Sequence, residues 1–255
     1  MSKLPKEYQF LDLSDYGRPI AKVIANSLKN TSITPIGVTI AFIIFGLLGV
    51  YFIFENYYFF AAFFIIFKSI LDAADGELAR IKNTPSYTGR FFDSIADIIL
   101  NFIIIMSIWQ LTNIHIGYAL LAFFGIQLQG TLYNYYYVIL RNRFNGDTTS
   151  RVFEDTTPTA LKGETQKSVN ILFGIYKKLY GVFDEIIYAL DRNAPNGKPL
   201  PNWLMSCIST FGLGFQLLIL SALLVLGLKE IIIPFFIIYT GLIFVYILIR
   251  RIFFS

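Results

Sequence analysis

Six long apolar blocks constrain this chain more than any other feature. They fall at 35–54, 57–81, 89–111, 116–140, 203–228 and 231–249. A helix needs about 20 apolar residues to cross the hydrocarbon core of a bilayer. Lipid offers no partner for a bare backbone, so spanning segments close their hydrogen bonds as helices. The expected fold class is therefore all-α, a polytopic membrane protein with six transmembrane helices. Composition supports this, with 55% hydrophobic residues, 15% charged residues and a mean hydropathy of +0.60. Soluble domains carry roughly 25% charged residues. A single cysteine, Cys207, forms no internal disulfide and reads as a small apolar filler. With one histidine, His115, a zinc site is not expected.

The charges between the blocks orient them. Lys3, Lys6, Arg18, Lys22 and Lys29 precede the first block. Arg80, Lys82 and Arg90 join the second and third, nine bases lie in 141–200, and Arg250 and Arg251 end the sixth. The alternate connections are nearly free of bases. The positive-inside rule then places both termini, and the second and fourth connections, in the cytoplasm. The net charge of +4 is explained by this pattern, and nucleic acid is not an expected partner. The chain divides into a cytosolic N-terminal segment (1–34), four spans (35–140), a cytosolic connecting segment (141–200) and two further spans (201–255).

Two regions outside the spans have helical periodicity. Ile20, Val23, Ile24 and Leu28 share a face, with Arg18, Lys22 and Lys29 elsewhere on the wheel. This predicts an interfacial amphipathic helix, with Pro19 in its first turn. Residues 170–190 predict a second helix, at the membrane surface or packed under the spans. Tyr133, Tyr135, Tyr136 and Tyr137 near the end of the fourth block read as an aromatic belt.

The stretch 72–97 breaks the apolar pattern. Asp72 and Asp75 are one helical turn apart, and so are Asp93 and Asp97, so each pair shares a face. The turn between them lets the pairs meet. An aspartate at mid-span costs about 2.5–3.5 kcal/mol on insertion scales. Four together also repel, and the bases Lys68, Arg80, Lys82 and Arg90 divide among several faces. Hard oxygen ligands favour Mg²⁺, Mn²⁺ or Ca²⁺, and two divalent ions balance four carboxylates. Gly76, Ala79 and Gly89 are small enough for a ligand to come close, and Arg80 is placed to grip a phosphate.

The pattern Asp72-x2-Asp75-Gly76-x2-Ala79-Arg80-x8-Gly89-x3-Asp93-x3-Asp97 resembles the signature of the CDP-alcohol phosphotransferases at every fixed position. Eight fixed letters coincide by chance about once in 10¹⁰ starts. Thr34-Pro35 to Thr39 resembles the family's Thr-Pro-Asn-x-x-Thr, with Ile36 where asparagine is usual. The resemblance implies an enzyme of phospholipid synthesis that moves a substituted phosphate from a CDP-linked lipid donor to an alcohol acceptor and releases CMP. It implies two ions, Mg²⁺ or Mn²⁺, on Asp72, Asp75 and Asp93. Asp97 is then the general base and a further metal contact. Thr39, Gly76, Ala79, Arg80 and Gly89 line the CDP site. Arg90, Arg141, Arg143 and Arg151 are candidates for an acceptor phosphate, as in inositol phosphate or glycerol phosphate. A homodimer is also implied. Two other readings stay open at this point: a CDP-choline or CDP-ethanolamine donor with a lipid alcohol acceptor, and a divalent-cation transporter.

Overall fold

The computed structural model describes residues 4–144 and 156–254, and the helices are joined by turns and short 3₁₀ segments. In chain order they are α1 (Arg18–Leu28), α2 (Pro35–Phe54), α3 (Tyr58–Ile81), α4 (Tyr87–Gln110) and α5 (Ile116–Arg143). Then follow α6 (Gln166–Leu190), α7 (Asn202–Ile208), α8 (Leu213–Val225), α9 (Lys229–Thr240) and α10 (Leu242–Phe253). Each start has a local cause. Pro35 opens α2 behind Thr34, whose hydroxyl accepts from the Gly37 amide at 3.1 Å. Ser86 caps α4 at the Gly89 amide at 2.8 Å. His115 caps α5 through Nδ1, which accepts from the Gly117 amide at 3.1 Å, so the lone histidine is structural.

Among the described residues, α2, α4, α5 and the α9–α10 pair are each long and apolar enough to cross a membrane. The α7–α8 pair makes a fifth if its 56° bend is one broken span. The second expected span is the 24-residue α3, whose last turns carry charge. The fifth expected span is not continuous. It breaks at Ser209–Phe211 and Gly212 because the N-terminal segment packs there. Leu13 N–H donates to Ser209 Oγ at 2.9 Å. A Cβ on Gly212 or Gly214 would overlap Ser14. Hydropathy cannot register such a break, because every residue in it is small or apolar.

On α2, Ile40, Ile44, Leu47 and Tyr51 recur at helical spacing and are exposed. A stripe of this kind is placed for lipid contact. The opposite side is tightly packed, with Gly49 against Ile65 of α3. One buried cluster, including Ile65, Ile104, Ala122, Leu220 and Phe236, joins α3, α4, α5, α8 and α9. Another, with Ala21, Ala25, Phe42, Ala74 and Leu78, docks α1 on α2 and α3. Helix α6 packs against α4 and α5, with Phe183 against Phe124 of α5.

The tyrosines near the end of α5 depart from the aromatic-belt expectation. Tyr136 donates to Asp191 Oδ2 at 2.7 Å, Tyr135 to the Asp191 carbonyl at 3.0 Å, and Tyr133 to Asp12 Oδ2 at 2.6 Å. Their hydroxyls face inward because long-range partners wait there. Asp191 is fully buried and ion-paired with Arg250, whose Nε donates at 2.8 Å. This ties α10 to the end of α6. Cys207 is exposed, not a core filler. Breaking a buried pair strands the surviving charge, at a cost of about 3–5 kcal/mol. Asp191→Ala is accordingly expected to lower the thermal unfolding midpoint in detergent far more than Arg192→Ala, its exposed neighbour.

Candidate active site

The site is assembled by the end of α3 and the start of α4, which a tight turn folds against each other. Asn83 takes a left-handed conformation in that turn, with φ 52°. Lys82 fastens it by donating to the carbonyls of Thr31 and Ile33 at 2.8 and 2.7 Å. Three of the four aspartates, Asp72, Asp75 and Asp93, lie together, and Asp97 lines the same cavity. One carboxylate oxygen from each of Asp72, Asp75 and Asp93 lies within 4.8 Å of the other two. Thr39 of α2 donates to Asp75 Oδ2 at 2.6 Å. Asp93 Oδ1 is buried with no hydrogen-bond partner. Buried polar oxygens are rarely left so, and three clustered carboxylates repel. The donor set, hard oxygens with one orphaned, fits a divalent cation such as Mg²⁺ or Mn²⁺.

Asp97 lies outside that group of three. It is ion-paired with Lys68 of α3, a fully buried residue that also stands 3.9 Å from Asp72 and 4.8 Å from the Phe42 ring centre. The expectation that bases divide away from the cluster is corrected here for Lys68. Its signal was its place one turn before Asp72, obscured by the apolar run around it. Glu77, inside the motif but not one of its fixed letters, is also a site residue. It is 2% exposed and accepts from Arg18 Nη1 at 2.6 Å, with Arg80 Nη2 at 3.3 Å. One buried carboxylate thus holds two guanidinium groups beside the aspartates. Arg18, read as part of a surface helix, turns inward and also pairs with Asp15.

These groups face a cavity of about 460 Å³. Asp72, Asp75, Asp93, Asp97, Gly76, Arg80, Arg90 and Arg141 line it. Asp12 and Asp15 enter from the N-terminal segment, and Tyr176, Tyr180 and Asp184 from α6. Arg90 stacks over Phe91 at 4.9 Å and Arg141 over Tyr137 at 5.0 Å. Thr39 acts behind the wall, through Asp75. Ala79 and Gly89 are near the site but not among the lining residues. A Cβ on Gly89 would come within 3.2 Å of Ser86, so this glycine serves the helix cap. Arg143 is corrected. It donates to the Pro195 carbonyl at 2.9 Å and does not line the cavity. Two residues along a helix is a turn of about 200°, which parts it from Arg141. Arg151 lies outside the described residues.

The connecting segment braces α4. Glu164 accepts from Ser86 Oγ at 2.8 Å, Thr88 N–H at 2.6 Å and Tyr87 N–H at 3.2 Å. A carboxylate here satisfies the bare amides of the first turn and suits the helix dipole. Farther along, Tyr180 donates to the Ser94 carbonyl at 2.9 Å, beside Asp93. Burial alone pushes the Glu164 carboxyl up, but the hydrogen bonds from Thr88, Ser86 and Leu161 together hold it below the usual range. A carboxyl depressed in the folded state stabilises above its unfolded value and loses that contribution as pH falls through its folded value. The wild-type protein is therefore expected to lose protection of the 87–89 amides below about pH 4.5, the ordinary glutamate value. Glu164→Gln is expected to show weaker protection at neutral pH and a smaller change on acidification, read by hydrogen exchange.

The geometry is that of an acidic centre between packed helices, with basic groups around it. No curated protein sequence matches the chain. The family model for CDP-alcohol phosphatidyltransferase matches residues 32–159, half of the chain and all of the aspartate motif. The chain is thus an integral membrane protein and belongs to the CDP-alcohol phosphatidyltransferase family, whose members are transferases of substituted phosphate groups.

Proposed function

We propose that this chain transfers a phosphatidyl group from CDP-diacylglycerol to an alcohol, releasing CMP, at the cytoplasmic face of a six-span bundle. In this reading α3 and the bent α7–α8 pair complete the six spans. Both termini are cytoplasmic, and the working unit is the homodimer that the family resemblance implies. The observation that carries the reaction is the grouping of Asp72, Asp75 and Asp93 within 4.8 Å, in a cavity shared with Asp97 and Arg80.

Asp72, Asp75 and Asp93 would hold two divalent ions, Mg²⁺ or Mn²⁺. Bound there, the ions supply charge neutralisation for the donor diphosphate and the departing CMP. Arg80 and Arg18, held by Glu77, face the same charge from the protein side. Gly76 leaves room for the nucleotide. The acceptor hydroxyl oxygen bonds to the β-phosphorus, the bond from that phosphorus to the CMP oxygen breaks, and the hydroxyl proton passes to Asp97. Lys68 holds Asp97 Oδ1, which fixes the carboxylate while its second oxygen accepts the proton. Phosphoryl-type transfer depends on positioning and charge more than on covalent help, and this set of residues provides both. Arg90 and Arg141 line the cavity and are the candidates to meet an acidic group on the acceptor.

Asp97→Asn is expected to lower CMP release by at least a thousandfold while CDP-diacylglycerol still binds, checked by turnover and by equilibrium binding on the same preparation. Full turnover in that variant would remove the base assignment. Excess chelator is expected to stop CMP release, and Mg²⁺ or Mn²⁺ to restore it. Undiminished activity in chelator would overturn the ion assignment and leave the Asp97 result standing.

A further inference from the structure

Asp93, Asp97 and Asn101 occupy successive turns of α4, each about 6 Å farther from the α3–α4 turn. All three line the cavity. Asn101 is 5% exposed, and its Oδ1 is buried with no hydrogen-bond partner. Its neighbour Leu100 packs on Gly46 in the middle of α2, so Asn101 sits level with the middle of that apolar helix. Gln127 of α5 lines the same cavity and is also buried. It lies about 21 Å along that helix from Arg141. Two carboxamides therefore line the cavity several helical turns from Arg90 and Arg141.

Two other carboxamides of the bundle, Gln129 and Gln216, are satisfied by the protein. Gln129 donates to Thr240 Oγ1 at 2.8 Å, and Gln216 donates to Gln129 Oε1 at 2.9 Å and to the Ile126 carbonyl at 3.1 Å. Those links lock α5 to α8 and α9. Asn101 Oδ1 has no such link, so helix locking does not account for it.

We propose that Asn101 and Gln127 are the specificity-determining residues for the acceptor, binding neutral hydroxyl groups of a polyhydroxy alcohol. The proposal rests on the transferase reading and extends it to the acceptor's chemical class. A carboxamide offers a donor and an acceptor without charge, as a hydroxyl does. A phosphate is better matched by the arginines elsewhere in the cavity, and an acyl chain would leave the amides unpaired. Direction agrees. Attacking and leaving oxygens lie roughly in line across the phosphorus. The CMP side is the Gly76–Arg80 end, so the attacking hydroxyl approaches from the Asp97 side. The body of the acceptor then extends past Asp97 toward Asn101.

The test compares wild type with Asn101→Leu and Gln127→Leu, each checked for intact folding by size exclusion. CMP release from CDP-diacylglycerol with Mg²⁺ is measured with inositol, glycerol and 1-propanol as acceptors. The expected result is a tenfold or greater rise in KM for at least one of the two polyols in each variant. The KM for CDP-diacylglycerol should stay within twofold, and the preference for that polyol over 1-propanol should fall at least tenfold. Unchanged polyol KM in both variants, or no polyol preference in wild type, overturns the proposal. Binding of tritiated inositol and glycerol in the presence of CMP provides a readout without turnover. Polyol binding that Asn101→Leu abolishes supports the subsite even if no CMP is released, an outcome that would sink the transferase reading instead. No binding of either polyol to wild type, or equal binding to both proteins, counts against the subsite whatever the turnover.

Discussion

The structure depends on one electrostatic problem, the concentration of carboxylates inside an apolar bundle. Asp72, Asp75 and Asp93 have oxygens within 4.8 Å of one another, a repulsion of about 3.5 kcal/mol per pair at an effective dielectric of 20. Asp97 adds a fourth charge one turn away. Much of the local structure answers this load. Lys68 gives up solvent completely to pair with Asp97. Thr39 donates into Asp75, and Glu77 anchors two arginines at the rim. None of these groups is stable alone at its depth. Each is retained because the others neutralise it or complete its hydrogen bonds, which is why the buried charges occur as a set.

The helices that supply the aspartates do not enclose the cavity by themselves. The family match spans residues 32–159, and two flanking pieces finish the site. The N-terminal segment inserts Asp12 and Asp15 and breaks the α7–α8 pair to make room. On the other side, α6 adds Tyr176, Tyr180 and Asp184, while Glu164 caps the helix that carries Asp93 and Asp97. The catalytic motif and its supports thus come from different stretches of chain. The motif resembles the family signature in its own residues, whereas the enclosure comes from segments on either side of the matched region.

That division also explains what the sequence revealed. The aspartates were legible because their relation is local, and spacings of three and four residues fix a shared face before any tertiary contact is known. The same arithmetic could have separated Arg141 from Arg143. Helix α1 was legible from its periodicity, but the inward turn of Arg18 was not, because Glu77 is 59 residues away. Lys68 was hidden by an apolar run that averages away a single charge. The tyrosines of α5 looked like a belt because the partners that bury them, Asp12 and Asp191, belong to remote segments. Patterns along one helix report which residues share a face, but they do not report what that face meets.

The two kinds of neutralisation in the site differ in a way that bears on chemistry. Near the α3–α4 turn, Asp72, Asp75 and Asp93 form a group suited to exchangeable cations. One turn farther in, Asp97 is matched by a covalently attached ammonium that cannot leave. A lysine is a compact point charge on a long stem, so it compensates Asp97 without filling the space in front of it. A divalent ion at that position would occupy the carboxylate oxygens that proton transfer needs. Lys68 holds one carboxylate oxygen of Asp97, and Asp97 also lines the cavity. In the proposed reaction this fixed charge sets Asp97, the proposed base, apart from Asp72, Asp75 and Asp93, the proposed metal ligands, although all four are aspartates on two adjoining helices.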